Sequence, residues 1–290
     1  MDFTKCKKSY RFYENGTEQK FGIEKDGNFY MLKFPKDMRE RLNVQLSYAN
    51  NVVSEHLGCR ILDTIGLQVQ ETELGMYEDK LVVACKDFNE KGYRLVEFSG
   101  FKLGIIHGKS SDGSGTELSE IMETIDAHEL IPDKETVKAY FWNLFIADAL
   151  IGNFDRHNSN WGLMVNEMSK DIKPAPIYDC GSCLFPRLTD EQMGTILNSA
   201  EEKEKRIYEF PQSAIEDNGE KINYFNFISS MKNEDCNRAL VNLFSKINLN
   251  EVNHLINQTP YISEVRKEFY QVMLLERYSR ILAYTHKRLV

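Results

Sequence analysis

The sequence predicts an α+β chain in two parts, a small β-rich N-lobe over residues 1–88 and a larger, mainly helical C-lobe over residues 89–290. Three observations predict it. Before residue 88, β-prone runs surround one helical run; between residues 89 and 116, six glycines interrupt any periodicity; from Thr136 onward, apolar residues recur at helical spacing. With 290 residues, 42% of them apolar, the chain is long enough to give such parts a sizeable core.

Residues 21–24 and 28–34 are β-prone and are joined by Lys25-Asp26-Gly27, a turn signal, so they form a hairpin that Pro35 ends. From residue 44 to 62, Leu46, Ala49, Val53, Leu57 and Ile61 recur at helical spacing and predict an amphipathic helix packed on that hairpin. From Val69 the alternation is weak and Gly75 breaks it, whereas residues 80–85 form a short apolar strand. The join between lobes falls between Cys85 and Glu90. Residues 108–115, Gly-Lys-Ser-Ser-Asp-Gly-Ser-Gly, form a loop that is flexible by composition. In the second lobe, Val137, Tyr140, Phe141, Leu144, Phe145 and Ile151 make one helical stripe, and Val265, Phe269, Val272 and Met273 another. No internal repeat is visible.

Lys and Arg number 36 against 44 Asp and Glu, a net charge of −8, so the overall field repels polyanions and no nucleic-acid partner is expected. No membrane span is expected either, because the most apolar run, residues 141–152, is interrupted by Asp148. The first residues lack the apolar stretch of a secretory signal, and six scattered cysteines suit a reducing compartment, so the expected location is cytoplasmic. The basic residues Arg277, Arg280, Lys287 and Arg288 read equally as a solvated face.

The most informative segment is Asp155-Arg-His-Asn-Ser-Asn160, a polar loop between apolar runs. Four residues separate Asp155 from Asn160, the spacing by which a phosphotransfer loop sets a base and a metal-binding amide. Downstream, Ile177-Tyr-Asp179-Cys-Gly181 delivers a carboxylate at the end of a β-prone run beside a glycine that permits a turn, as metal bridging to nucleotide phosphates requires. Upstream, Lys33 ends a strand, and Glu55 lies on a helical stripe with Tyr48, Val52 and Cys59, where a carboxylate is costly unless a cation pairs with it. Between the first strands, Gly16, Thr17, Gln19 and Lys20 form a loop whose N–H groups and lysine suit phosphate oxygens.

These features, in this order, resemble the HipA-like serine/threonine kinases, the smaller CtkA-type members among them, over roughly residues 15–285. The residues that carry the likeness are Asp155-Arg156-His157 with Asn160, Ile177-Tyr178-Asp179, Met31-Leu-Lys33-Phe-Pro35 and Ser54-Glu55-His-Leu-Gly-Cys. The resemblance implies a bilobal protein-kinase-like fold and a kinase that uses ATP and Mg²⁺ on serine or threonine hydroxyls of protein, itself included. In it Asp155 is the catalytic base, with His157 sharing proton handling; Asn160 and Asp179 hold the metal; Lys33 contacts phosphates; and residues 83–88, with Ala84, Cys85 and Lys86, form the adenine-binding hinge. The 16–20 loop departs from the family in lacking a serine, which leaves Thr17 and Ser110, Ser111 and Ser114 as candidate acceptors. Asp-Arg-His-x-x-Asn is also similar to the loop of phosphatidylinositol kinases, so a lipid acceptor is the alternative, and a nucleotide-binding module without transfer is the rival from another class. Cys180-Gly-Ser-Cys183 has no second pair to complete a zinc site.

Overall fold

The structure, a computed structural model, describes residues 1–9, 20–37, 47–48, 50–89, 92–103 and 113–290. The chain divides into two compact units. One comprises Met1–Phe88, Tyr178–Asn198 and Asn248–Gln271; the other comprises Asn89–Ile177, Ser199–Ile247 and Val272–Val290.

In the first unit the strands are β1 (Lys7–Ser9), β2 (Lys20–Lys25), β3 (Asn28–Lys33), β4 (Lys36–Asp37) and β5 (Ser47–Tyr48), followed by helix α1 (Asn50–Thr64), β6 (Thr72–Tyr77) and β7 (Lys80–Lys86). Five of them make one antiparallel sheet in the order β1-β2-β3-β7-β6. The expected hairpin is β2–β3, with Lys25 opposite Asn28 and Asp26 and Gly27 both at positive φ in the turn. The sheet closes over Phe3, Ile23, Tyr30, Leu32, Phe34, Val82 and Ala84, alternate residues of neighbouring strands that meet on one face.

Two expectations are corrected in this unit. Residues 47–48 pair with β4 as a strand, so the helix starts at Asn50; the apolar period that suggests a start at 44 continues past the point where the backbone enters a ladder. Gly75 does not break β6. A Cβ there would stand 2.6 Å from the Met1 carbonyl oxygen and 2.7 Å from the Phe3 ring, so the glycine admits the N-terminal segment against the strand. Helix α1 packs against β6, β7 and the helix Leu249–Gln258, and residues 51–55, 57–59, 61 and 62 are all buried, more than one amphipathic face.

His56 on α1 lies 3.0 Å from the Thr72 hydroxyl on β6, and burial, reinforced by the Arg60 charge, pushes its pKa down to about 4. An unfolded His56, at its ordinary 6.5, binds a proton between those values that the folded chain does not. Stability from this residue is therefore complete above pH 6.5 and lost as the pH falls toward 4. In urea unfolding at pH 7 and pH 4.5, His56→Gln is expected to lose about 2–3 kcal/mol less on acidification than the parent.

In the second unit, β8 (Tyr93–Glu97) leads into α2 (Phe98–Leu103), followed by α3 (Leu118–Ala127), α4 (Lys134–Ile151), β9 (Gly162–Asn166) and β10 (Ile172–Pro174). The glycine-bearing stretch 89–116 thus holds a strand and a helix where only loop is expected. The strand is short and carries Arg94 and Glu97, and it is completed by pairing with β9, giving the sheet order β10-β9-β8. Gly162 permits this pairing, since a Cβ there would lie 2.2 Å from the Val96 carbonyl oxygen. The remainder is helical, as the apolar periodicity indicates, apart from a short hairpin in which Glu216–Asp217 pairs with Glu220–Lys221. Helix α4 begins at Asp133, whose carboxylate accepts the Thr136 N–H, and ends at Gly152 with φ +67. It is buried on most sides, against α3, β10 and the helix Glu234–Phe244.

Arg277 is not on a solvated face. It is buried, donating from Nε to the Ala149 carbonyl at 2.8 Å and from Nη1 to that of Arg206 at 2.9 Å, and its burial lowers its pKa to about 10. Among the described residues no helix is long and apolar enough to cross a membrane. None of the six cysteines is in a disulfide.

Candidate active site

Within the first unit, the end of β3, the second turn of α1 and the segment after Tyr178 converge on one ion cluster. The Lys33 ammonium lies 3.1 Å from Glu55 Oε1 and 3.0 Å from Asp179 Oδ1, and the Asp179 N–H donates to the same Glu55 oxygen at 3.1 Å. The Glu55 side chain is 2% exposed, that of Lys33 15% and that of Asp179 39%, so the cluster runs from a buried anchor to an accessible carboxylate. Burial works against the Lys33 charge, but the Asp179 and Glu55 carboxylates outweigh it and hold the lysine well above its ordinary pKa. Two carboxylates against one ammonium leave the cluster net negative, which suits a cation. Lys20, directly opposite Lys33 across the β2–β3 ladder, shares its face of the hairpin.

Asp179 reaches this position with φ +56, a conformation an L-residue adopts at a cost of about 1–2 kcal/mol. Gly181, two residues on, is pressed against the helix: a Cβ there would be 3.2 Å from Glu55 Oε2. Behind the cluster lie three buried thiols, Cys59 of the Glu55 stripe with Cys180 and Cys183 of the incomplete zinc pattern. Cys183 donates to the Ser54 carbonyl at 3.3 Å, and a hydrogen bond with Cys180, together with burial, holds Cys59 well above the ordinary thiol pKa. Gly58 is what lets them pack, because an added Cβ would sit 2.7 Å from Cys180 Cβ and 2.8 Å from Cys183 Sγ. Gly58→Ala is therefore expected to destabilise the protein by about 1–2 kcal/mol despite the better helix propensity of alanine, measured by urea unfolding.

The other candidates in this unit lie along β7. Ala84 and Cys85 are buried within the sheet, opposite Leu32 and Met31 of β3. Burial pushes the Cys85 thiol up; nearby Lys33 opposes that, while Glu55 and Asp179 add to it, which places Cys85 beside the ion cluster. Lys86 pairs with both Glu71 oxygens, at 3.0 and 2.9 Å, and its backbone N–H and C=O bind Glu71 and Gln70. At the end of this strand Phe88 packs on Tyr178, ring centroids 5.8 Å apart. Gly16, Thr17 and Gln19 lie outside the described residues.

Within the second unit, Asp155, His157 and Asn160 share the loop that follows α4. The Asp155 carbonyl accepts the His157 N–H at 2.9 Å and the Asn160 side-chain amide at 2.7 Å, which joins the two ends of the Asp-x-x-x-x-Asn spacing. With its nitrogen so committed, the Asn160 amide presents its oxygen as the atom for a cation. His157 Nδ1 accepts the Ser159 N–H at 3.3 Å, so Nε2 bears the proton of the neutral ring. Asp148, which interrupts the apolar run of α4, is paired with Arg156, whose Nε and Nη2 reach its two carboxylate oxygens at 3.0 and 3.2 Å.

Among the described residues no group of three or more His, Cys, Asp or Glu side chains is arranged to hold a metal. Magnesium needs no such group, because it takes one or two hard oxygen ligands and fills its octahedron with phosphate oxygens and water. The Asn160 amide oxygen in one unit and the Asp179 carboxylate in the other are each, by type, a hard ligand of that kind.

A five-stranded antiparallel sheet with a lysine paired to a helix glutamate, a mainly helical remainder and an Asp-x-x-x-x-Asn loop together define a protein-kinase-like α+β fold. The sequence matches the HipA-like C-terminal domain over residues 13–248, and the chain belongs to that family. It is 40% identical over 292 residues to the serine/threonine-protein kinase CtkA of Helicobacter pylori strain J99, covering 100% of this chain and 89% of that protein. The crystal structure of the H. pylori proinflammatory kinase CtkA superimposes with a TM-score of 0.92 at 39% identity, over 100% of this chain and 98% of that one. HipA, in the HipA–HipB toxin–antitoxin complex of Shewanella oneidensis MR-1 with its operator DNA, shares the fold at a TM-score of 0.57 and 16% identity, over 96% of this chain and 67% of that one.

Proposed function

We propose that the chain is a serine/threonine protein kinase that uses ATP and Mg²⁺ and takes its own hydroxyls among its acceptors. The observation that carries this reading is Lys33 held by a buried glutamate on one side and by the aspartate of Asp-x-Gly on the other. The full-length similarity to a protein named as a serine/threonine kinase supports it.

Phosphoryl transfer asks for position and charge neutralisation more than covalent chemistry. Lys33, kept protonated by its two carboxylates, meets nucleotide phosphates, and Lys20 on the same face adds a second cation. Asp155 takes the proton of the acceptor hydroxyl as the hydroxyl oxygen bonds to the γ-phosphorus, and the bond from that phosphorus to the β–γ bridging oxygen breaks to release ADP. His157, on the same loop with its Nδ1 accepting the Ser159 N–H, shares in that proton handling. Asn160 and Asp179 are the residues that would offer oxygens to Mg²⁺, which when bound would supply charge neutralisation on the phosphate oxygens. Residues 83–88, Ala84, Cys85 and Lys86 among them, border the adenine, with Phe88 as the apolar contact.

The test is transfer from γ-labelled ATP with Mg²⁺ by the purified protein, alone, with a basic protein acceptor and with phosphoinositide vesicles. Label on serine or threonine is the expected result. Label confined to lipid would replace this reading with a phosphoinositide kinase, and ATP binding without transfer would replace it with a binding module.

A further inference from the structure

Asp148 stands where a carboxylate is doubly unfavourable, in the last turn of α4 at the negative end of the helix, and it is buried. Among the described residues its charge is met from the loop: the Asn153 amide donates to Oδ1 at 2.9 Å, and Arg156 donates from Nε to Oδ2 and from Nη2 to Oδ1. Arg156, itself buried, then uses Nη1 to grip the Asn160 carbonyl at 2.7 Å. Asn153 is held from a second side as well, because its carbonyl accepts the buried Tyr224 hydroxyl at 2.7 Å. The end of a rigid helix is thereby hooked to both ends of the stretch between Asn153 and Asn160, the stretch that contains Asp155.

We infer that Asp148 is a positioning residue for phosphoryl transfer: through Arg156 and Asn153 it fixes Asp155 relative to Asn160, without touching substrate itself. The inference rests on the kinase reading for its activity consequence but not for its structural one. A buried pair serving only to neutralise charge needs one ammonium or guanidinium near one carboxylate. This arginine is forked, two N–H groups to Asp148 and a third to the backbone of Asn160, and only that fork transmits position.

Arg156→Lys separates the two roles, since lysine keeps the charge pair but cannot hold both the carboxylate and the Asn160 carbonyl. The expected result is a fall in kcat of about ten- to a hundredfold, as misplacement near 1 Å produces, with the KM for ATP within about twofold of the parent. Amide hydrogen exchange at His157 and Asn160, whose N–H groups bond inside the loop, is expected to quicken by about tenfold or more, while exchange in β2 and β3 stays unchanged. Asp148→Asn is the second variant and is expected to move the same observables in the same direction. Unchanged kcat and unchanged loop exchange would overturn the inference, as would exchange that quickens equally in the sheet, which marks general destabilisation. Should the parent itself transfer no phosphate, the exchange experiment still decides the positioning role, so that the two readings fail separately.

Discussion

Asp155→Ala is expected to lower the rate of phosphoryl transfer by about a hundred- to ten-thousandfold, the range a positioned general base contributes, with the melting temperature nearly unchanged. The separation of the two effects follows from how the loop is held. Three of the hydrogen bonds at position 155 run through the backbone: the N–H to the Asn153 side chain at 3.2 Å, and the carbonyl from His157 and Asn160. Truncating the side chain removes the carboxylate and leaves those bonds in place. Single-turnover transfer from labelled ATP measures the loss, and circular dichroism with a thermal scan measures the fold. A rate within about threefold of the parent in a folded variant would show that this carboxylate is not the base.

Much of this was legible because it is local. The β2–β3 hairpin follows from a turn triplet between alternating runs, and the Lys33–Glu55 pair follows from a carboxylate on a buried stripe, a placement that demands a cation. The Asp155–Asn160 loop follows from spacing alone. Arg156 is near but not legible in this way: it lies eight residues from Asp148, yet nothing local to the sequence says that the two meet.

What stayed hidden depends on partners far along the chain. Tyr93–Glu97 has little apolar alternation of its own and is a strand only because Gly162–Asn166 lies beside it. Gly75 and Gly58 look like a strand breaker and a weak helix residue; each is instead a place where another segment comes closer than any Cβ allows. Residues 178–198 join the first unit although the sequence places them deep in the helical part, and that placement is what carries Asp179 to Lys33. Arg277, within a cluster of basic residues, gives no local sign that it caps the carbonyls of Ala149 and Arg206.

Lys33→Met should show how far the ion cluster serves stability and how far chemistry. Without the ammonium, Glu55 and Asp179 lose the cation that bridges them, and Glu55 is buried away from water. Removing one partner of a buried pair costs about 3–5 kcal/mol, and because Asp179 is partly exposed a loss of about 2–4 kcal/mol is expected at neutral pH. The sign of the pH dependence follows from the two carboxylates. In the parent, Lys33 titrates above its ordinary value, so its contribution is present throughout the acidic and neutral range and is lost only in strong alkali. In the variant, a carboxyl beside a like charge takes up a proton more readily when folded than unfolded, so stability is greatest at low pH and falls as the pH rises through neutrality. Urea unfolding of parent and variant at pH 5 and pH 8 should therefore give the smaller difference at pH 5, by at least about 1 kcal/mol. Adding Glu55→Gln removes the like-charge repulsion and is expected to recover most of the stability at pH 8 while phosphoryl transfer stays at least about a hundredfold below the parent. Recovery of both together would make Lys33 a structural cation, and recovery of stability alone would separate its hold on the fold from its work on the phosphate.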